Sequence, residues 1–250
     1  MNRENILNQN KTSWNAIADM AFAWTALPKY GVLCPTEDDL HLFPDLGGKK
    51  VLDIGCGSGH SLKWCGEQGA GELWGLDISE NQLANAKKVL TESGFTPRLF
   101  CSPMEQNPGI PKGYFDVVYS IYAIGWTVDL QATFDLIASY LKPGGTFIFS
   151  WEHPLMRRVE TSDGRLILNG DYNKIEQFHF EKAGQQLMFY LRRISDYVNA
   201  LATSGLYVTQ IVEETEQKTQ LEASEYSPEL YAPWRAKRLP LSLILKARKL

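Results

Sequence analysis

The 250-residue chain has no apolar run near the roughly 20 residues that would cross a bilayer. It has no surplus of positive charge either. Its 25 basic and 29 acidic side chains leave a net charge of −4, which argues against a nucleic-acid footprint and against tRNA or rRNA as substrate. The late clusters WRAKR and LKARK are short and read as a solvated edge. Cys34, Cys56, Cys65 and Cys101 form neither a C-x-x-C pair nor a zinc-ligand spacing, so no metal site is expected. No secretory leader is expected at the start, and free thiols suit a soluble protein of the reducing cytoplasm. Internal repeats and low-complexity tracts are lacking as well. The chain is long enough to bury a large core without disulfide staples.

What is present is a beat of strands and helices. Residues 4–26 carry apolar side chains near helical spacing, and Pro28, Gly31 and Pro35 break the pattern into loop. From Lys50 onward the expected order is strand 51–54, helix 58–67, strand 72–77, helix 79–93, strand 98–101 and strand 115–120. Ser79 and Gln82 form a capping box at the second of these helices, and Gly94 stops it. Asp129 caps a helix ending at Leu141, and KPGG turns the chain into a fifth strand, 146–151. Such alternation predicts right-handed crossovers and a doubly wound, mostly parallel α/β sheet with helices on both faces. Residues 154–191 lose the beat and read as short antiparallel strands inserted at the site end of the sheet. A helix at 194–203, a strand at 207–212 and a last strand within LPLSLILKARK complete seven strands. The chain thus divides into a helical cap (1–40), a core (45–153), an inserted lid (154–191) and the completion of the sheet (192–250), all in one domain.

The stretch VLDIGCGSG places Gly55, Gly57 and Gly59 directly after the first strand. In open α/β sheets ligands sit beyond the carboxyl ends of the strands, and bare backbone before a helix N-terminus lets a ligand touch the main chain. A tight turn without a ligand needs one such glycine rather than three. A dinucleotide fingerprint requires glycine at position 60, which is His60, and a phosphate-cradling loop requires Lys followed by Ser or Thr, which is missing. Asp77 ends the second strand 22 residues after Gly55, where a carboxylate can accept bonds from two vicinal ribose hydroxyls. A nucleoside ligand is expected, with no demand for a pyrophosphate.

These residues resemble the Rossmann-like, class I methyltransferases that use S-adenosylmethionine. VLDIGCGSG is similar to their first motif, GLDIS to the second, YFDVVYSIYAIGW to the fourth-strand motif and LKPGG to the turn before strand five. SWNAIADM, SWEHP, RRISDYVNAL and LPLSLILKARK are similar to a small-molecule subgroup related to quinone-biosynthesis methyltransferases. The resemblance implies S-adenosyl-L-methionine as cofactor and a small-molecule methyl acceptor. It assigns Asp53, Gly55, Cys56 and Gly57 to the methionyl part, Asp77 to the ribose, Ile78 to the adenine face and Ser120 to the methionyl group. The adenine segment departs from the family, with Ser102-Pro103-Met104-Glu105 in place of Gly-Asp-Ala-Glu, so the adenine amino group falls to Glu105 and a ring nitrogen to the Met104 N–H. AIGW departs too, carrying Gly125 where relatives often have His before Trp126.

His153, just beyond strand five, is the candidate general base, and adjacent strand residues face opposite ways, so only one of Glu152 and His153 can face the pocket. Tyr122 and Trp126 are candidates for the acceptor wall, and Trp14, Trp24 and Tyr30 for a segment folding over the cofactor. There is no Asn/Asp-Pro-Pro-aromatic motif for the amines of DNA bases and no cysteine placed to attack a base. Two rival readings stay open: a protein that binds S-adenosylmethionine or S-adenosylhomocysteine without transferring a methyl group, and a nicotinamide-dependent oxidoreductase, which His60 disfavours.

Overall fold

The computed structural model describes residues 2–250. Five strands, β1 (Lys50–Ile54), β2 (Glu72–Asp77), β3 (Arg98–Cys101), β4 (Phe115–Ile121) and β5 (Leu141–Glu152), run parallel in the spatial order β3-β2-β1-β4-β5. Two hairpins follow, β6 (Val159–Ser162) with β7 (Arg165–Leu168) and β8 (Glu176–Lys182) with β9 (Gln185–Leu191). The insertion is therefore antiparallel, as its lost beat predicts. Strand β10 (Leu206–Val212) and strand β11 (Ser242–Lys249) complete the seven-stranded sheet. Only β11, lying between β5 and β10, opposes the rest.

The helices are α1 (Arg3–Ala16), α2 (Glu37–Leu40), α3 (His60–Glu67), α4 (Glu80–Glu92), α5 (Leu130–Tyr140), α6 (Ile194–Thr203), α7 (Gln217–Leu221) and α8 (Pro233–Ala236). Both faces of the sheet are covered, and alternate strand residues go to separate buried clusters. Leu52, Val118, Phe147 and Phe149 pack with Phe134 of α5 and Tyr197 of α6. Val51, Val117 and Ile148 pack with Leu62 of α3 and Leu90 of α4. That division by parity explains why the strand sequences are apolar almost throughout. Among the described residues no helix is long and apolar enough to cross a membrane.

Two helices are shorter than their patterns predict. The first stops at Ala16 instead of reaching Ala26, because the chain beyond it hands its backbone to the glycine loop. Ala23, with φ +58°, donates its N–H to Ser58 Oγ at 3.1 Å, and Leu27 donates to Ser61 Oγ at 3.1 Å. Helix α3 begins at His60 rather than Ser58, since Gly59 caps it with φ +78°, outside helical space. A Cβ at Gly59 would lie 2.9 Å from that of Ala86, so this third glycine serves the close packing of α3 on α4. Strand β5 starts earlier than predicted: Leu141 already pairs with Phe115, and residues 142–145 bulge before Thr146 resumes opposite Val117.

Candidate active site

One cavity of about 560 Å³ opens at the carboxyl ends of the parallel strands. Its volume falls within the usual range for small-molecule sites. The floor comes from the strand ends and the turns after them, the roof from α1, residues 21–26 and the hairpin β8–β9.

The floor is built around Asp77. Its Oδ2 accepts the Gly57 N–H at 2.9 Å and its Oδ1 the Ser79 N–H at 2.9 Å. Those bonds tie the glycine loop to the start of α4 and leave each carboxylate oxygen further acceptor capacity. Gly55 has φ +77°, and a Cβ there would stand 2.4 Å from the Ala123 Cβ, so the backbone of β4's outgoing turn closes on the loop. Gly57 has φ +51° and nearly open space beside it, the nearest atom being Gln82 Oε1 at 4.0 Å.

Three acid or amide oxygens on this lining are buried without a hydrogen-bond partner: Asp53 Oδ1, Gln82 Oε1 and Glu105 Oε2. Burial first, then the Asp77 charge, pushes the Asp53 carboxyl well above the usual carboxylate range. Burial raises Asp77 too, against the lowering effect of its backbone donors. Glu105 is anchored through its other oxygen, which accepts Thr127 Oγ1–H at 2.5 Å and the Val128 N–H at 2.6 Å. The capping box expected of Ser79 and Gln82 closes on one side only: Ser79 Oγ accepts the Gln82 N–H at 3.2 Å, but the Ser79 N–H goes to Asp77 and leaves the Gln82 side chain to the cavity.

Of the residues assigned from sequence, Asp53, Gly55, Cys56, Gly57, Asp77, Ile78, Met104 and Glu105 all line this one cavity. Ser120 does not. It is fully buried one position before the strand end, and its hydroxyl donates to the Ile54 carbonyl at 2.7 Å; Ile121, Tyr122 and Ala123 reach the cavity instead.

His153 does not reach the cavity either. Its Nε2 donates to Glu213 Oε1 at 2.7 Å, its Nδ1 accepts the Leu155 N–H at 3.2 Å, and burial lowers its pKa, so both ring nitrogens are spent on the turn into Pro154. The strand parity that admits only one of the pair selects Glu152, which lines the cavity. Glu152 is held by Arg157, whose Nε and Nη2 donate to it at 2.8 and 2.5 Å, and by the Tyr231 hydroxyl at 3.2 Å. Arg157 and Tyr231 lie in segments without recognisable motifs, and nothing in the sequence singled them out.

Aromatic rings form the far wall. Trp126 stands edge-on to Trp151 at 5.5 Å and to Trp14 of α1 at 5.2 Å, and Trp151 is edge-on to Phe189 at 5.4 Å. Trp14 and Trp24 therefore do reach the cavity, as does Tyr122. Tyr30 does not: it is buried, with its hydroxyl on Glu37 at 2.5 Å. His60 lines the loop side, its Nδ1 3.0 Å from Ser58 Oγ and its ring edge-on to Phe22. Gly125 is required by the wall itself, since a Cβ there would fall 1.8 Å from Trp151 Cε2. The described residues contain no cluster of His, Cys, Asp and Glu able to hold a metal.

Residues 52–149 match a family described as a methyltransferase domain. A ubiquinone biosynthesis O-methyltransferase of Azoarcus is 35% identical over 105 residues, 42% of this chain and 45% of that protein. One from Escherichia coli O7:K1 is 32% identical over 161 residues, 60% of this chain and 66% of that protein. The chain spans about half the length of most of the curated relatives it matches. A solved S-adenosylmethionine-dependent methyltransferase from Mesorhizobium loti superposes with a TM-score of 0.68 at 28% identity, covering 84% of this chain and 95% of that one.

Proposed function

This chain belongs to the Rossmann-like, class I S-adenosylmethionine-dependent methyltransferases, and we propose that its cavity binds that cofactor and passes the methyl group to a small-molecule acceptor. The observation that carries this reading is the trio of partnerless buried oxygens, Asp53 Oδ1, Gln82 Oε1 and Glu105 Oε2, on the lining of one cavity. A buried acceptor without a donor costs about 1–3 kcal/mol. A ligand rich in N–H and O–H donors relieves that cost, and an adenosyl amino acid is such a ligand.

Asp77 would hold the ribose hydroxyls with the lone pairs left over from Gly57 and Ser79. Asp53, Gly55, Cys56 and Gly57 would hold the methionyl part, Glu105 Oε2 and the Met104 N–H the adenine edge, and Ile78 its face. Bound there, the cofactor supplies an electrophilic methyl group on a sulfonium. What remains for the protein is to align the nucleophile and exclude water, and alignment alone is worth effective molarities of order 10⁵–10⁸ M. The aromatic wall and the α1–hairpin roof serve that purpose as a lid. With both His153 nitrogens engaged elsewhere, no histidine base is assigned. The O-methyltransferases among the relatives favour an oxygen nucleophile. The acidic balance favours a small molecule over a nucleic acid, and the buried free thiols Cys34, Cys56 and Cys65 fit the cytoplasm.

Calorimetry with S-adenosylhomocysteine against NADH tests the reading. Micromolar binding of the first and none of the second is expected, and the reverse would overturn it. Tight S-adenosylhomocysteine binding with no methyl transfer across a broad panel of phenols and acids would point to a binding protein instead.

A further inference from the structure

Part of the cavity lining sets two basic side chains against one acid. Its polar groups are Glu152, Arg157, Tyr231 and Lys182, set against Trp126, Trp151, Phe180 and Phe189. Glu152 and Arg157 neutralise one another in a two-pronged pair whose side chains are only 8% and 17% exposed. Arg157 keeps Nη1 without a protein partner after Nε and Nη2 are spent on Glu152 and Tyr231. Among the described residues Lys182, at the end of β8, has no carboxylate within ion-pair distance and no hydrogen bond. Its ammonium sits 3.4 Å from the centre of the Trp24 ring. One acid thus faces two bases.

Burial, and then the neighbouring Arg157 charge, hold the Lys182 pKa below its ordinary value. The cation–π contact with Trp24 holds the ammonium in place without neutralising its charge. Elsewhere Lys11 pairs with Glu80, Lys142 with Asp116 and Arg193 with Asp196. Lys182 is left facing the cavity beside flat apolar rings.

We propose that the methyl acceptor is an organic acid with a flat apolar body, sheathed by Trp126, Trp151 and Phe180, and that Lys182 with Nη1 of Arg157 receives its carboxylate. The inference rests on the reading of this cavity as a methyl-transfer site. A second carboxylate of the same chemistry is the methionyl one of the cofactor, and the experiment separates the two.

The wild-type protein, free and loaded with S-adenosylhomocysteine, is titrated with 2-naphthoate and with its neutral carboxamide. The acid should bind about 10-fold tighter than the amide, with the advantage shrinking as salt rises. Lys182→Met, at an exposed strand end, should remove that advantage while leaving S-adenosylhomocysteine affinity unchanged. Equal binding of acid and amide, or none of either, would overturn the acid subsite. So would a Lys182→Met variant that loses S-adenosylhomocysteine affinity but keeps that for 5′-methylthioadenosine, which lacks the amino-acid part; the cation would then belong to the cofactor. Failure of the wild type to bind S-adenosylhomocysteine at all is a separate result: it removes the methyl-transfer reading, while the titrations of the free protein still decide the anion site.

Discussion

Asn10 and Met188 exchange two hydrogen bonds across 178 residues of chain: the Asn10 side chain donates to the Met188 carbonyl at 2.7 Å and accepts its N–H at 3.0 Å. A carboxamide is the side-chain group that mimics a strand edge, offering one donor and one acceptor side by side. Through it the α1 helix is bonded to the free edge of β9, and Ser13 adds a bond to the Gln186 carbonyl at 2.6 Å. The two halves of the roof are thereby one unit.

Asn10→Ala should strand a buried N–H and C=O at Met188, costing about 1–3 kcal/mol. For a chain of this size that is a fall in Tm of roughly 2–4 °C per kcal/mol. Amide exchange should quicken across β9 and α1 together. If only α1 responds, the two are not coupled. In the parent protein S-adenosylhomocysteine should slow exchange in both segments, as expected of a lid.

Asp77→Ala removes a carboxylate that already accepts Gly57 and Ser79 before any ligand arrives. Binding of S-adenosylhomocysteine should weaken by about 10- to 150-fold, the worth of 1.5–3 kcal/mol in charge-assisted bonds. Asp77→Asn should lose nearly as much, because its NH₂ must confront one of the two backbone donors. An alanine variant that binds as tightly as the parent in calorimetry removes Asp77 from the ribose site.

Asp53 gives a stability test that needs no ligand. Burial holds its folded pKa well above the ordinary carboxylate value of about 3.9. As pH rises from that value through the folded one, the unfolded chain releases the proton first, so folding stability falls across the window. Asp53→Asn removes the charge that must be buried. It should therefore unfold at a higher temperature than the parent near neutral pH, and the gap should close in acid. A gap independent of pH would mean that the Asp53 charge is compensated.

The sheet was legible because its causes are local. Apolar runs, the Ser79 and Asp129 caps and the glycine punctuation each act within a few residues, and β2 and α6 stand where those signals put them, while the lost beat of the insertion told only that its strands are short and antiparallel. That Gly55, Asp77 and Glu105 line one cavity was legible for the same reason, since each lies at or within a few residues of a strand end. The rest of the lining was not. Arg157 lies five residues from Glu152 without a motif to mark it, and Lys182 and Tyr231 join the same lining only through the second hairpin and the loop before β11, which no short-range pattern encodes. His153 looked catalytic because position along a strand is visible in sequence whereas the side of the strand is not. Ser120 was misplaced by one residue for a similar reason, as its strand runs one residue further, to Ile121, before the turn toward the cavity.

His153 now predicts an acid sensitivity rather than a rate. Burial lowers its folded pKa below the ordinary value of about 6.5. Its neutral form, with Nδ1 accepting from Leu155 and Nε2 donating to Glu213, is the one the fold requires. Stability should be full above about pH 6.5 and be lost as pH falls through that value toward the folded pKa. His153→Asn should flatten this part of the pH–Tm curve and leave methyl transfer in place. A large drop in turnover with unchanged Tm would return His153 to the chemistry.

Gly125 explains a departure from the family by volume. Any side chain at this position would enter the Trp151 ring, with Cβ 1.8 Å from Cε2 and 2.2 Å from Nε1. The backbone here is fixed from the other side, since Arg192 donates to the Gly125 and Thr127 carbonyls at 3.3 and 2.6 Å, so the turn cannot retreat. Trp151 must move instead, and with it the contacts to Trp126 and Phe189 that shape the acceptor wall. Gly125→Ala should cost about 1–3 kcal/mol, as overpacking does. Affinity for S-adenosylhomocysteine should persist, because Asp77 and the glycine loop are untouched, while binding of 2-naphthoate should fall with the displaced indole. A variant that keeps both affinities and the parental Tm would show that the turn yields and that Trp151 does not set the wall.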